Sequence, residues 1–475
     1  MPPYLALFLW FVLLVGLFWY EPAKEPKISA ALWVPLTFMF FMASRQPTQW
    51  FQGQVIAQGV GTMNDAIENG DPLNRAVSAI LFLLGIAILL SRSFRWGNFF
   101  RTNWVLTAYL LFALVSVLWS DFPFPAFRKW FRDLGNYVMV LVVISDSLPL
   151  EALSTLLRRL GYLLIPLSVV LIKYFPDYGR QYDQWVGEVS YCGATTSKNM
   201  LGILCLVCGI YYFWDTVVRW PHRKNKVQKQ VILVNAVLTY LTWWLLTTCN
   251  STTSIICLII AYLVILAVHR KSIQSQPTLL IVAIPVVLLT YNFLFFGLGL
   301  GDQFASAVGR TSLSGRPEIW QLVLSQHSNP LLGTGYESFW VGPRLQRIWS
   351  AGWAGVNEAH NAYLEVYLNL GFAGLFLILL FMAAVYRNAC KKLRPFSSMV
   401  SFALAIWTAF AFHNTTEADF RTGLMWFVFV LAALTVSGVG REKVSEEAVF
   451  HRAQAPEQFR SRMAFSPPPY TRRSS

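Results

Sequence analysis

The residues best equipped for chemistry lie in two polar runs late in an apolar chain. In GRTSLSGRPEIW, Arg316 follows Gly315 and precedes Pro317 and Glu318, with Trp320 beyond. Ser314 or Gly315 can cap a helix that starts at Arg316 or Pro317. Unpaired backbone N–H groups at such a start, beside a guanidinium fork, converge on a phosphate-like anion. Capping alone explains the glycine, serine and proline but not the arginine, so the run reads as an anion site, with Arg310 six residues upstream as a further cation.

The second run is NEAHNAYLEVYLNLGFAG, where His360 and Asn361 precede a helix with Tyr363, Leu364, Tyr367 and Leu368 at helical spacing. Glu358 lies just before them. An imidazole with an ordinary pKa near 6.5 is suited to taking a proton near neutral pH, and at the mouth of a helix bundle it can reach a substrate hydroxyl. A histidine that merely finishes a helix end by bonding a neighbouring loop is an equally good reading of this run alone. A third run, HNTTEADFR at 413–421, reads as an ion-pair network of His413, Glu417, Asp419 and Arg421 closing a turn, with Glu417 in support of the site.

The elements that must hold these residues are membrane spans. Of 475 residues 55% are hydrophobic and 13% charged, where soluble domains carry about 25% charge. A spanning helix needs about 20 apolar residues because its backbone must satisfy itself inside lipid. Apolar runs fall near 4–20, 28–44, 76–91, 103–120, 134–148, 160–175, 199–218, 231–249, 254–268, 278–297, 362–386, 399–416 and 421–438. The chain therefore reads as an all-α polytopic membrane protein with about 12–13 spans, one large outer loop over about 298–361 containing short helices, and a charged tail. Residues 1–440 form the membrane domain and 441–475, ending SPPPYTRRSS, a disordered cytoplasmic tail. The first 20 residues lack a basic start and a small-residue cleavage site and read as a retained helix.

Alternate sides of the spans hold 25 and 13 of the 38 Lys and Arg, and 18 against 13 without the tail. The positive-inside bias puts 298–361 outside the cytoplasm. Outer cations then need another reason than insertion, which singles out Arg128, Lys129 and Arg132, Lys198 in TTSKN, and Arg310, Arg316, Arg344 and Arg347. For Arg128, Arg344 and Arg347, snorkelling to headgroup phosphate serves as well. The +14 net charge belongs to this loop bias; no finger spacing or aromatic platform of a nucleic-acid module is present. The six cysteines lie mostly in apolar runs, and Cys205 and Cys208, a CxxC by letter, read as core packing.

Missing motifs narrow the chemistry. There is no GxxxxGK[ST], no HExxH and no DxD, so neither nucleotide hydrolysis, zinc nor a metal-held nucleotide sugar is signalled. The runs GRTSLSGRPEIW, HSNPLLGTGYESF and NEAHNAYLEVYLNLGFAG, in that order and in a multispan chain, resemble the signature of the O-antigen ligase and polymerase superfamily, in particular its exopolysaccharide-production branch. The likeness is strongest over about 250–386, with fainter echoes in MASRQPTQWF, NGDPLNRAV and LWSDFPFPAFRKWF.

The resemblance implies inverting glycosyl transfer without metal or cofactor at the outer face of a bacterial inner membrane. The donor would be a saccharide on undecaprenyl pyrophosphate, the other partners a glycan acceptor and polysaccharide export or chain-length proteins. Asn361, Tyr363, Glu358 and Glu417 are read from their places beside His360 as substrate-binding residues, and the family pattern gives Arg316 the donor pyrophosphate and His360 the acceptor hydroxyl. It places Asn329, Pro330, Gly333 and Gly335 in a loop where glycines let backbone approach ligand. Many ligases carry a second arginine in an earlier outer hairpin, where this chain has CNSTTSII. Lys198 or Arg128 would supply that charge, and the departure favours the polysaccharide branch over ligation to lipid A core. A transporter of a small anion is the rival; it calls for mid-span charges and paired broken helices.

Overall fold

The computed structural model describes residues 1–21, 29–51, 71–182, 189–292, 316–326, 328–353, 355–393 and 397–438. Arg310, the capping pair Ser314 and Gly315, the first part of the outer loop and the tail lie outside the described residues, and of Arg316 only the backbone is described. The protein is an all-α polytopic membrane protein, and each of the thirteen apolar runs falls on a helix over its described residues. The described exception to helix is one small antiparallel hairpin, Arg180–Tyr182 with Val189–Tyr191.

Five helices are long and apolar enough to cross a bilayer unaided: Pro72–Ser91, Pro149–Tyr174, Lys198–His222, Lys226–Thr248 and Ala362–Lys391. Trp96–Thr102 and Trp104–Trp119 form a sixth only as a pair, bent by 89°. Six more apolar helices have 10–17 residues. At 1.5 Å per residue the shorter ones reach roughly 15–25 Å against a hydrocarbon core of about 30 Å. The Pro123–Ile144 helix is apolar only in its second half, since Arg128, Lys129, Arg132 and Asp133 occupy its outer turns.

Burial grades the helices by position. Pro149–Tyr174 and Lys198–Arg219 are buried along most of their length, whereas Pro72–Ser91 shows Ile80, Leu83, Leu84 and Leu90 to the surroundings. Inside the packed centre Asp215 accepts from Arg219 Nε at 2.7 Å and from Asn235 Nδ2 at 2.8 Å, and Arg219 also reaches Gln228. All six cysteines are buried free thiols, with Cys205 and Cys208 in the main core.

One break matters for function. The Ala362–Lys391 helix is interrupted at Gly371, with φ 62° and ψ −165°. The loop at 329–335 fills the gap: Phe372 and Ala373 donate to the carbonyls of Pro330 and Leu331, and Thr334 and Gly335 donate to those of Leu368 and Asn369. Four backbone groups that a broken helix would leave unpaired in a dry environment are thereby satisfied. The approach is too close for side chains. A Cβ on Gly333 would lie 2.4 Å from the Asn369 carbonyl carbon, and one on Gly371 2.3 Å from that of Leu331. Of the two loop glycines that the family likeness set toward ligand, Gly333 thus admits neighbouring backbone, and Gly335 lies against Ser116 and Ser120.

Candidate functional site

The segment from Arg316 to His360 has a small core of its own. Ile319 and Val323 from the Arg316–Leu324 helix pack with Phe339, Trp340, Leu345, Ile348, Ala359 and Leu368. Apolar spacing i, i+4 puts Ile319 and Val323 on one face of that helix, and Trp320 Nε1 donates to the Ala359 carbonyl at 2.8 Å. The helix that Arg316 opens is therefore tied to the residue preceding His360.

His360 itself is held in the left-handed region at φ 49°, a conformation that costs of order 1–3 kcal/mol for a non-glycine residue and recurs at functional sites. Its surroundings over-determine it. Asn361 caps the following helix by accepting from Leu364 N at 3.1 Å, and Ala362 N donates to the carbonyls of Asn414 and Glu417 at 3.0 and 2.9 Å. Tyr363 packs edge-on to Phe420 and donates its hydroxyl to the Ala411 carbonyl at 3.1 Å. Asn361 and Tyr363 thus fix the start of the helix that follows His360.

Two carboxylates face the ring. Nδ1 of His360 lies 3.0 Å from Glu358 Oε1 and 3.6 Å from Glu417 Oε2, placed for ion pairing more than for an aligned hydrogen bond. Contact with Glu358, then with Glu417, pushes the His360 pKa up to about 9 against the effect of burial. Glu358 in turn bonds Arg421. Burial favours its neutral form, but the Arg421 charge and His360 hold its pKa down to about 2. The two acids thus favour the imidazolium form of His360.

The 413–421 turn does more than close on itself. His413 does pair with Asp419, at 2.5 Å, and Asp419 N donates to Asn414 Oδ1. Arg421 and Glu417 instead leave that network for Glu358 and His360. Asn199 Nδ2 points at Glu417 from 3.4 and 3.5 Å, so the start of the Lys198–Arg219 helix, capped by Ser197, reaches the same place. Lys198, at that start, is exposed.

The remaining candidate cations are engaged by other partners. Arg128 stacks its guanidinium 5.7 Å from the Phe124 ring centre. Its neighbours turn toward the 334–340 loop: Lys129 Nζ donates to the Glu337 carbonyl at 2.7 Å, and Arg132 pairs with Asp133 at 3.0 Å. Arg344 bonds Asp121 at 2.9 Å, and Arg347 reaches Gln326 at 3.3 Å. Among the described residues, Glu358, His360 and Glu417 form the trio whose ligand atoms all fall within 4.8 Å and so could hold a divalent ion; Arg421 already provides Glu358 with a cation.

The arrangement can accept or give a proton at one imidazole between an acid–arginine pair and a helix start. Residues 236–379, which include Arg316 and His360, match the family described as O-Antigen ligase. Over 327 residues, 65% of this chain and 71% of the relative, the sequence is 26% identical to the Exopolysaccharide production protein ExoQ of Rhizobium meliloti (strain 1021). These matches bear out the likeness to the O-antigen ligase superfamily and its exopolysaccharide-production branch.

Proposed function

We propose that this protein is a membrane-embedded inverting glycosyltransferase that polymerises or ligates saccharide units from an undecaprenyl-pyrophosphate donor, at the outer face of a bacterial inner membrane, in the building of exopolysaccharide or O-antigen-type surface glycan. The observation that carries this reading is the Trp320–Ala359 bond, which ties the helix opened by Arg316 to the residue before His360. Arg316 and the N–H groups of its helix take the donor pyrophosphate. Lys198 is the better second cation, since Asn199 beside it contacts Glu417 while Arg128 stacks on Phe124.

In the reaction the acceptor hydroxyl oxygen attacks the anomeric carbon from the face opposite the pyrophosphate. The C–O bond to phosphate breaks, its electron pair leaves with polyprenyl pyrophosphate, and the hydroxyl proton passes to His360. With both acids on Nδ1, Nε2 is the nitrogen left for substrate, and the ring must first shed its extra proton. Cationic stabilisation of the leaving group in a water-poor site contributes several kcal/mol and a placed base about 10²–10⁴-fold.

Purified protein given a polyprenyl-pyrophosphate oligosaccharide is expected to release polyprenyl pyrophosphate, and Arg316→Ala and His360→Ala proteins, inserted normally, to leave cells without long polymer released from its lipid carrier. Wild-type amounts of such released polymer from either variant would overturn the assignment. In a knockout, loss of long polymer indicates polymerisation, and polymer retained on its lipid carrier indicates ligation.

A further inference from the structure

A single residue, Ala359, separates Glu358 from His360, so the 3.0 Å contact between their side chains depends on how Ala359 lies. That residue is gripped on both sides. Its carbonyl accepts from Trp320 Nε1 at 2.8 Å, and its N–H donates to Glu365 Oε1. We infer that Glu365 is a positioning residue for the transfer reaction, its carboxylate clamping Ala359 so that imidazole and acid are held together before substrate arrives. The inference rests on the glycosyl-transfer reading above, in which His360 takes the proton.

The clamp is built from the helix that His360 precedes. Asn361 caps that helix, so Glu365 is its fourth residue, one beyond the place from which a capping-box glutamate turns back to the cap's own N–H. From there its side chain reaches back to the N–H two residues before the cap. Two further donors hold the carboxylate on that course. Trp340 Nε1 donates to both oxygens, at 3.0 and 2.9 Å, and Asn369 Nδ2 lies 3.5 Å from Oε2. Asn369 is itself fixed, donating to the Glu365 carbonyl at 2.9 Å and accepting from Phe339 N at 3.1 Å. Among the described residues the carboxylate's hydrogen-bond partners are all N–H groups of the protein, and no lysine or arginine pairs with it. That is the pattern of a group that fixes geometry.

The geometry it fixes is a strained one. His360 stands at φ 49°, and such a dihedral lasts only where the planar peptides around it are held. The helix start beyond it is fixed by the Asn361 cap and by Ala362 N on the carbonyls of Asn414 and Glu417. Ahead of it, Trp320 holds the peptide plane that joins Ala359 to His360, and Glu365 the plane that joins Glu358 to Ala359. With both planes held, acid and ring keep one relative orientation.

Two substitutions separate reach from charge. Glu365→Asp keeps the charge but falls one methylene short of Ala359 N, whereas Glu365→Gln keeps the reach and an acceptor oxygen. In the full-length protein in detergent, assayed by polyprenyl pyrophosphate release, Glu365→Asp is expected to lower kcat about 10–100-fold, the scale of a lost hydrogen bond to a charged group. The donor KM is expected to stay within about twofold of wild type, and Glu365→Gln to lower kcat less than about tenfold. Trp340→Phe, which takes a donor from the carboxylate, is expected to lower kcat severalfold with the same KM, and it carries the test should the aspartate protein not insert. In histidine-labelled protein the His360 ring signal is expected to move or broaden in Glu365→Asp, with that of His222 unmoved, and to stay in place in Glu365→Gln. Wild-type kcat in Glu365→Asp, a loss confined to KM, or a larger loss in Glu365→Gln than in Glu365→Asp overturns the clamp. A His360 signal that moves in Glu365→Asp, where wild-type protein releases no polyprenyl pyrophosphate, leaves the clamp standing and overturns the transfer reading instead.

Discussion

Glu358→Gln offers the sharpest test of how the site sets its own proton. Glu358 stands 3.0 Å from His360 Nδ1 and is the larger of the two contacts that raise the ring to about 9. Measured from an ordinary 6.5, that rise corresponds to about 3 kcal/mol favouring the imidazolium. About a third of the His360 side chain faces solvent, and screening brings this to the order of 1–2 kcal/mol. Removing the nearer acid, while leaving Arg421 unmatched beside the ring, is expected to lower the His360 pKa by at least about one pH unit. Only the neutral ring accepts a proton, so kcat/KM for polyprenyl pyrophosphate release should climb with pH toward an inflection near 9 in the wild type, and in the variant inflect about one pH unit lower. Histidine-labelled NMR titration reads the same group without turnover. Stability follows the opposite sense: a raised histidine pKa stabilises the fold below about 6.5, and that contribution is lost as pH rises through about 9. An unmoved inflection would refute the control by Glu358. A rate that falls through pH 9 would show that the imidazolium is the working form, and the base assignment would fail.

Other substitutions probe the scaffold. Gly333→Ala and Gly371→Ala place a Cβ 2.4 and 2.3 Å from backbone carbon at positive φ, and each is expected to cost about 3 kcal/mol or more; Gly97→Ala, with nothing within 4 Å, is expected to be neutral or slightly stabilising in the same thermal unfolding measurement. Trp320→Phe keeps the ring and deletes the 2.8 Å bond to Ala359, so membrane levels should hold while transfer falls severalfold, the scale of about 1 kcal/mol. Asp215→Asn leaves Arg219 buried without its carboxylate and is expected to destabilise by about 3–5 kcal/mol, read as reduced protein in isolated membranes.

Much of this was visible in the sequence because the governing signals are local. Apolar runs mark helices wherever backbone must satisfy itself, the Gly–Arg–Pro step marks a helix start at Arg316, and the polar AHN before YLEVYL marks the helix start after His360. Three things were hidden, each for want of long-range register. Arg421 and Glu358 are 63 residues apart and Lys129 and Glu337 are 208 apart, and nothing in either run names the partner. The break at Gly371 lies in NLGFAGLF, which continues the hydrophobic pattern without interruption. Glu365 carries no signal of its own in the first turns of its helix, and its bonds to Trp340 and Asn369 depend on the 334–340 loop and the next helical turn. The motif letters were right about which segments meet. They could not tell whether the loop glycines face ligand or backbone.

That last distinction bears on how the site works. A loop whose glycines cradled substrate would have to order on binding. Here the NPLLGTG backbone is spent on the carbonyls and N–H groups of residues 368–373, so loop and helix are one rigid unit before any substrate arrives. The short outer half of the helix, residues 362–370, is thereby set off from the span that follows while remaining anchored to it. At its head sits His360, strained in the left-handed region and pinned by Ala362, Asn361 and two acids. Flexible support could not sustain that conformation, because a free chain would relax the dihedral. The broken helix and the strained histidine are therefore two ends of one device, in which hydrogen bonds made at residues 368–373, inside the helix, hold an imidazole at its outer end where lipid-linked donor and saccharide acceptor would meet.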